Sequence, residues 1–314
     1  MSDAPVSPAS LGLGLAAVGR PAYITAGRDG DLGDPAERTI EAMRARSHDL
    51  LDAAWDLGIR YVDVARSYGY AEEFLGAWLR RHPERAADLT IGSKWGYAYV
   101  GDWRMDAEVH ERKEHSVAMF RRQWPETLAA LGRTPDIYLV HSVTADSPAL
   151  SDADLLEDLR RLAGTGVRVG LSTSGPRQAA VLDAARTLEA TPFSVVQATW
   201  NLREGSVGPA LARAHDDGWI VVVKEALANG ELAAGDSDGV RMAAAAAGLS
   251  PDSFAIGAAR AQAGVDIVLS GAATRTQLRR GVDAPAARVD DATRRRLAVD
   301  PDLYWRRRSE RPWG

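Results

Sequence analysis

Residues 34–69 read DPAERTIEAMRARSHDLLDAAWDLGIRYVDVARSYG. Within this stretch Ile40, Met43, Leu50, Leu51, Ala54 and Leu57 recur on one face at helical spacing, behind Asp34 as a candidate N-cap with Pro35 at the first helical position. After Gly58 the pattern changes to a short β-branched run, Arg60–Val64. A helix feeding a short apolar strand is the unit of an α/β sheet, and that unit recurs in both directions along the chain. Candidate strands lie at Leu11–Ala16, Arg60–Val64, Leu89–Lys94, Asp136–His141, Val167–Ser172, Phe193–Thr199, Trp219–Lys224 and Val265–Ser270. Helix-period stretches separate most of them, such as Ala71, Leu75, Trp78 and Leu79, or Val181, Ala185 and Leu188. Strands alternating with helices predict a parallel sheet covered on both faces. Eight repeats in ~250–300 residues predict a (β/α)8 TIM barrel, fold class α/β. A doubly wound open sheet is the rival, but Gly12, Gly14 and Gly19 lack GxGxxG spacing and run into Arg20-Pro21 rather than a helix. With no linker, low-complexity block or long repeat, residues 1–314 read as a single domain.

Composition narrows the function classes. Hydrophobic residues make up 46% and charged residues 26%, the balance of a globular chain. A net charge of −5 argues against a dedicated nucleic-acid or anionic-membrane surface. The absence of cysteine excludes disulfides, thiolate metal sites and a cysteine nucleophile, and fits a reducing compartment. The start, MSDAPVSPAS, has no basic region followed by an apolar one, and no apolar run reaches the ~18 residues of a membrane span. A cytoplasmic protein is expected, and nothing reads as a protein-partner interface.

In a barrel of this kind the chemistry sits at the C-terminal ends of the strands. Most of the apolar runs end in or near a polar residue: Asp63, Lys94, His141, Ser172, Gln197, Lys224 and Ser270. The strands bearing Asp63, Lys94 and His141 are neighbours, and Tyr68 leaves the same strand as Asp63, so the four should converge. A tyrosine hydroxyl, with a reference pKa near ~10, is a poor acid at neutral pH unless a nearby cation such as Lys94 lowers it. Asp63 would hold that lysine charged, and His141 would orient a substrate oxygen, giving a proton donor beside a carbonyl. Each residue also has a plainer reading: an ion pair for Asp63 and Lys94, a core histidine for His141, a loop aromatic for Tyr68.

The stretch Tyr61-Val62-Asp63-Val64-Ala65-Arg66-Ser67-Tyr68-Gly69 resembles the aldo-keto reductase family's motif, in which an aspartate on the second strand precedes a Tyr-Gly. Ser93-Lys94 is similar to the family's lysine position and Leu139-Val140-His141 to its histidine. Gly170-Leu171-Ser172, Gln197, Leu227-Ala228-Asn229-Gly230, and Gly271-Ala272 with Gln277-Leu278 resemble its later segments. The resemblance implies an NAD(P)H-dependent oxidoreductase interconverting an aldehyde or ketone and an alcohol. The cofactor would lie extended across the mouth, with hydride delivered to carbon while Tyr68 protonates oxygen. It implies catalytic roles for Asp63, Tyr68, Lys94 and His141. Ser172, Gln197, Leu227, Gly230, Gly271 and Gln277 would be cofactor contacts.

Several positions depart from the family pattern. Thr173 stands where asparagine is common beside the carboxamide, and Lys224 stands about where an aromatic usually stacks on nicotinamide. Lys224 reads as a salt-bridged surface residue or as a new contact to cofactor or substrate, and Trp200 as a substitute stacking surface. Ala272 and Ala273 occupy the place of a 2′-phosphate grip, and Gly281 that of an adenine contact. Arg275, or Arg279 and Arg280, could still reach a phosphate, so NADP(H) is favoured and NAD(H) stays open. Residues 97–114 form a long connection after the third strand, expected to fold over the mouth. Tyr97 and Trp103 from that loop, with Tyr23 and Trp95, are the pocket candidates. His110, Glu111 and His115 miss the HExxH spacing, and no metal is expected. Arg306-Arg307-Arg308 is expected to be a solvated tail, the alternatives being a mouth-closing element or attraction of anionic substrates. Two other functions remain open: a cofactor-binding regulatory or scaffolding barrel, and a Schiff-base enzyme using Lys94.

Overall fold

The structure, a computed structural model, describes residues 9–25, 27–234 and 238–314. The first eight residues of the N-terminal stretch read above lie outside them. Among the described residues ten strands form in chain order: β1 (Ser10–Gly14), β2 (Tyr61–Asp63), β3 (Thr90–Trp95), β4 (Tyr97–Tyr99), β5 (Glu111–Lys113), β6 (Ile137–Val143), β7 (Arg168–Thr173), β8 (Val195–Thr199), β9 (Ile220–Lys224) and β10 (Ile267–Ser270). Eight of them close into a parallel barrel in the order β1, β10, β9, β8, β7, β6, β3, β2, and all eight candidate strands are in it. The fold is a (β/α)8 TIM barrel.

Helices cover the outside. The long helix Ile40–Asp56 buries Met43, Leu50, Leu51 and Ala54, as its spacing predicts. It starts later than the Asp34-Pro35 signal suggested. Asp34 instead caps a single 3₁₀ turn, Pro35–Glu37, and the Thr39 hydroxyl caps the helix by accepting from Ala42 N at 3.2 Å.

Side-chain alternation along the strands organises the interior. Tyr61, Ile137, Leu139, Val195 and Val222 pack together inside the barrel. The next inward residues along their four strands, Asp63, His141, Gln197 and Lys224, form a polar layer at the mouth together with Lys94 of β3 and Ser172 of β7. Outward-facing strand residues join the larger core beneath the helices.

The long connection after β3 is not irregular. Its ends pair as an antiparallel hairpin, β4 with β5, in the register Tyr97 to Lys113 and Tyr99 to Glu111. The basic C-terminal stretch is not a free tail either. Asp300 caps the helix Pro301–Ser309, whose last turn carries Arg306, Arg307 and Arg308 where the helix dipole favours cations. Arg306 and Arg307 are exposed, but Arg308 turns inward to Glu225. Beyond it the backbone of Gly314 pairs with Tyr23 in both directions, at 3.0 and 3.2 Å.

Candidate active site

The mouth layer is held by its own hydrogen bonds. Lys94, fully buried, donates to Asp63 Oδ1 at 2.5 Å and to the Val64 carbonyl at 3.0 Å. The other carboxylate oxygen of Asp63 accepts from Gln197 Nε2 at 2.7 Å. One carboxylate thus ties strands from opposite sides of the barrel. Lys94 Nζ lies 4.7 Å from the centroid of the Tyr68 ring, and His141 meets that ring edge-on at 5.5 Å. Lys94 is engaged by these two hydrogen bonds, which occupy the amine that a Schiff-base nucleophile would need free.

A bulge in β6 sets the direction of His141. The register against β7 shifts between Val140 and Val143, and Ser142 has a positive φ of 54°. Ser142 N donates to Ser172 Oγ at 2.7 Å, which pins the bulge. The His115 ring supports it from outside, donating from Nε2 to the His141 carbonyl at 2.7 Å. Ser67 Oγ lies 3.4 Å from His141 Nδ1.

Burial decides the protonation states. The His141 imidazole is held neutral by burial, reinforced by Lys94, Lys224 and Arg20. Tyr68 titrates well above its usual range because of burial and the Asp63 carboxylate, with Arg20 opposing. The expected lowering by Lys94 is not what dominates, since Asp63 already balances that charge. Tyr68 therefore keeps its proton across the neutral range, and its hydroxyl makes no hydrogen bond to protein among the described residues.

These side chains stand at one end of a cleft of about 740 Å³, lined there by Asp63, Tyr68, Tyr97, His141, Gln197 and Lys224. It runs to Gly271, Gln277, Asp252 and Arg280. Its volume falls in the ~300–1,000 Å³ range of small-molecule and cofactor sites. Gly14, Ala16, Ala17, Gly230, Gly271 and Ala272 line it with little more than backbone, leaving room for an extended ligand. Asn229, also in the lining, presents a buried Nδ2 that no protein group satisfies. Small walls with an orphaned donor fit an elongated polar cofactor such as a dinucleotide.

A sequence-family comparison matches residues 37–297 to the aldo/keto reductase family. The chain belongs to that family. It is an oxidoreductase of the aldo/keto reductase type. Among solved structures, an aldo-keto reductase from Pseudomonas aeruginosa is 25% identical, with 90% of this chain and 92% of that one covered and a TM-score of 0.64. The glycerol dehydrogenase AKR11B4 from Gluconobacter oxydans shares the fold at 20% identity, with 98% and 94% covered and a TM-score of 0.66. A 49-residue stretch is 56% identical to a pyridoxal 4-dehydrogenase from Microbacterium luteolum. That match spans 15% of this chain and 14% of the relative.

Within the aldo/keto reductase barrel the remaining expected site residues divide. Tyr23, Tyr97, Gln197, Lys224, Leu227, Gly230, Gly271 and Gln277 all line the cleft. Trp95 does not. It follows inward-facing Lys94, so it points outward, fully buried, with its ring centroid 5.1 Å from that of Phe120. Thr173 follows Ser172 in the same way and donates to Gln178 at 3.2 Å beneath the helices. Trp200 lies buried outside the strand layer, with the Arg294 guanidinium 5.8 Å from its ring centroid. Trp103 donates from Nε1 to the Arg38 carbonyl at 2.8 Å and packs on Tyr70 and Phe74. Arg275 is turned to Asp49 on the neighbouring helix. Ser172 is in the mouth layer, but its oxygen accepts from Ser142; Ser142 and Ser174 line the cleft.

Lys224 has no ion pair or hydrogen bond to protein among the described residues, so it is not the salt-bridged residue weighed above. Among the described residues, no three His, Asp or Glu side chains gather as a metal site. No helix among them is long and apolar enough to cross a membrane.

Sequence reasoning missed a second ring around the mouth. Arg20, fully buried, donates to Glu111 at 2.6 Å and to the Ser67 carbonyl at 2.8 Å. Its guanidinium lies over the rings of Tyr23, Tyr68 and Trp313 at 4.8, 5.3 and 4.7 Å. Trp313 stacks on His110 at 4.4 Å, joining the hairpin loop to the C-terminal segment. Only the Tyr97, Trp103 and Arg-rich signals hinted at this roof.

Proposed function

We propose that the chain catalyses NAD(P)H-dependent reduction of an aldehyde or ketone to an alcohol, or the reverse, with Tyr68 as proton donor. The carrying observation is a protonated, otherwise unbonded Tyr68 hydroxyl on the cleft between the Lys94–Asp63 pair and a neutral His141. A bound nicotinamide dinucleotide supplies the hydride chemistry. Gln197, Leu227, Gly230, Gly271 and Gln277, which line the cleft, would hold it, with Asn229 offering its free amide. Asp63 fixes Lys94 and Gln197 together, so charge and position at the reacting end are set before a ligand arrives. His141, neutral, directs a ring nitrogen at the carbonyl oxygen, and Tyr68 transfers its proton to that same oxygen as charge develops. Tyr23, Tyr97 and Trp313 shape the substrate pocket. The pyridoxal 4-dehydrogenase match, short as it is, supports a substrate with an aldehyde carbon.

NADP(H) remains the favoured cofactor, resting now on Arg280, since Arg275 is engaged by Asp49.

Tyr68→Phe tests the role. The variant loses no protein hydrogen bond, so it should fold as the parent does. Turnover of a carbonyl panel should fall by about 10²–10⁴ while quenching of tryptophan fluorescence by NADPH or NADH persists. Undiminished turnover would remove Tyr68 from the mechanism.

A further inference from the structure

We infer that Lys224 anchors an acidic oxygen group of the substrate, so that the preferred carbonyl compound carries a carboxylate, phosphate or phenolate. This deepens the reading above and rests on it.

Lys224 ends β9 in the mouth layer, two residues past inward-facing Val222 and in register with Thr199. The other cations at this end have partners. Lys94 has Asp63 at 2.5 Å, Arg20 has Glu111 at 2.6 Å, Arg308 has Glu225, and Arg311 has Glu231. Glu225, adjacent in sequence, acts on Lys224 through its charge but forms no ion pair or hydrogen bond with it. It accepts from Arg308 and from Thr199 Oγ1 at 3.3 Å. Lys224 is thus an unpaired amine at the reacting end of the cleft, among the described residues. A partly desolvated cation with no counter-ion in direct contact costs stability, and an anionic ligand group there would supply that contact. The rings of Tyr23, Tyr97 and Trp313 around the same space suit a flat organic body.

The groups facing Lys224 give the interaction a pH signature. Burial, Arg308 and Lys94 lower its pKa, opposed by Glu225 and Asp63, leaving it at about 8. His141 is neutral, and Tyr23 and Tyr68 keep their protons, so none of these competes for an anion. Anion affinity should hold below about pH 8 and fade above it.

A cofactor pyrophosphate is the other anion that could reach this amine, and the test separates the two. Calorimetric titrations of the NADPH-loaded protein would compare 4-carboxybenzaldehyde with 4-(hydroxymethyl)benzaldehyde. Parallel fluorescence titrations would give the NADPH dissociation constant. The parent should bind the carboxylate about tenfold or more tightly. Lys224→Met should bring that ratio to near one with the NADPH constant retained, and Lys224→Arg should restore much of it. Equal binding of the two probes, or of neither, overturns the assignment. So does a Lys224→Met variant that weakens NADPH while leaving the ratio intact. Turnover of both aldehydes by the parent and by Tyr68→Phe, measured alongside, distinguishes the failures. A lost carboxylate preference with Tyr68 dependence intact removes only the Lys224 assignment; loss of that dependence removes the catalytic reading.

Discussion

Arg280 faces Asp252 at 3.9 Å at the far end of the cleft, and Asp31 completes the rim by accepting from Gln277 at 2.8 Å. One guanidinium facing one carboxylate, with a second carboxylate on the same rim, is a small device, but on the proposed reading it is where a 2′-phosphate would be accepted or refused. The guanidinium is more than half exposed, so a pairing there is worth less than one in the core. Arg280→Ala should raise the NADPH dissociation constant by roughly tenfold and leave that for NADH nearly unchanged, since a charge-assisted contact to phosphate is removed. Fluorescence titration of both cofactors reads this directly. An unchanged ratio would instead make the two carboxylates the governing groups and favour NAD(H). The convergence of Asp63, Tyr68, Lys94 and His141 was legible because each carries its polar atom at or beside an inward strand end, where a packed apolar residue is the rule. Arg20 and Glu225 were not legible. Their partners lie 91 and 83 residues away along the chain, and no local pattern announces such a pairing.

At the level of elements the barrel was readable almost strand for strand, because buried parallel strands must be short, apolar and β-branched. The hairpin was not. β4 and β5 have three residues each, pair only with one another, and Glu111-Arg112-Lys113 carries no apolar alternation. The misplaced Trp95 and Thr173 share one cause: each follows an inward residue, and a period of two sends it to the helix layer. Strict parity would have excluded both. Helix packing supplies a sharper test. A Cβ on Gly76, inside the helix Ala71–Arg81, would stand 2.1 Å from the Ala130 carbonyl oxygen of the helix Val117–Leu131. Alanine normally gains ~1 kcal/mol over glycine in a helix interior. Here the clash with backbone should win, so Gly76→Ala should cost ~1–3 kcal/mol, read as a lower urea midpoint with an unchanged slope. A rise in that midpoint would show that the two helices can move apart freely.

For the molecule as a whole, the decisive link is the pair joining the turn after β9 to the last helix. Arg308 donates to Glu225 from Nε at 3.0 Å and from a terminal nitrogen. Burial alone would raise the Glu225 pKa, but Arg308 overrides it and holds it at about 2, against a usual 4.5. A carboxyl lowered on folding contributes stability that is present above about pH 4.5 and lost as pH falls toward 2. Glu225→Gln, which strands the guanidinium, should therefore be destabilised at neutral pH by roughly 3 kcal/mol. The gap to the parent should close as acid neutralises Glu225 there too. Chemical denaturation of both proteins across that range would show it, and parallel curves would refute it. The clasp holds a roof made of three excursions outside the eightfold repeat: the turn after β1, the hairpin, and the C-terminal segment that carries Trp313. The candidate catalytic groups Asp63, Tyr68, Lys94 and His141 stand on or beside strand ends beneath it. Lys224 aside, the aromatic lining thus belongs to stretches of polypeptide separate from the candidate catalytic groups, and the two can be inherited separately. Mutational libraries confined to Tyr23, Tyr97 and Trp313 should diversify the range of accepted molecules while the machinery below is passed on intact.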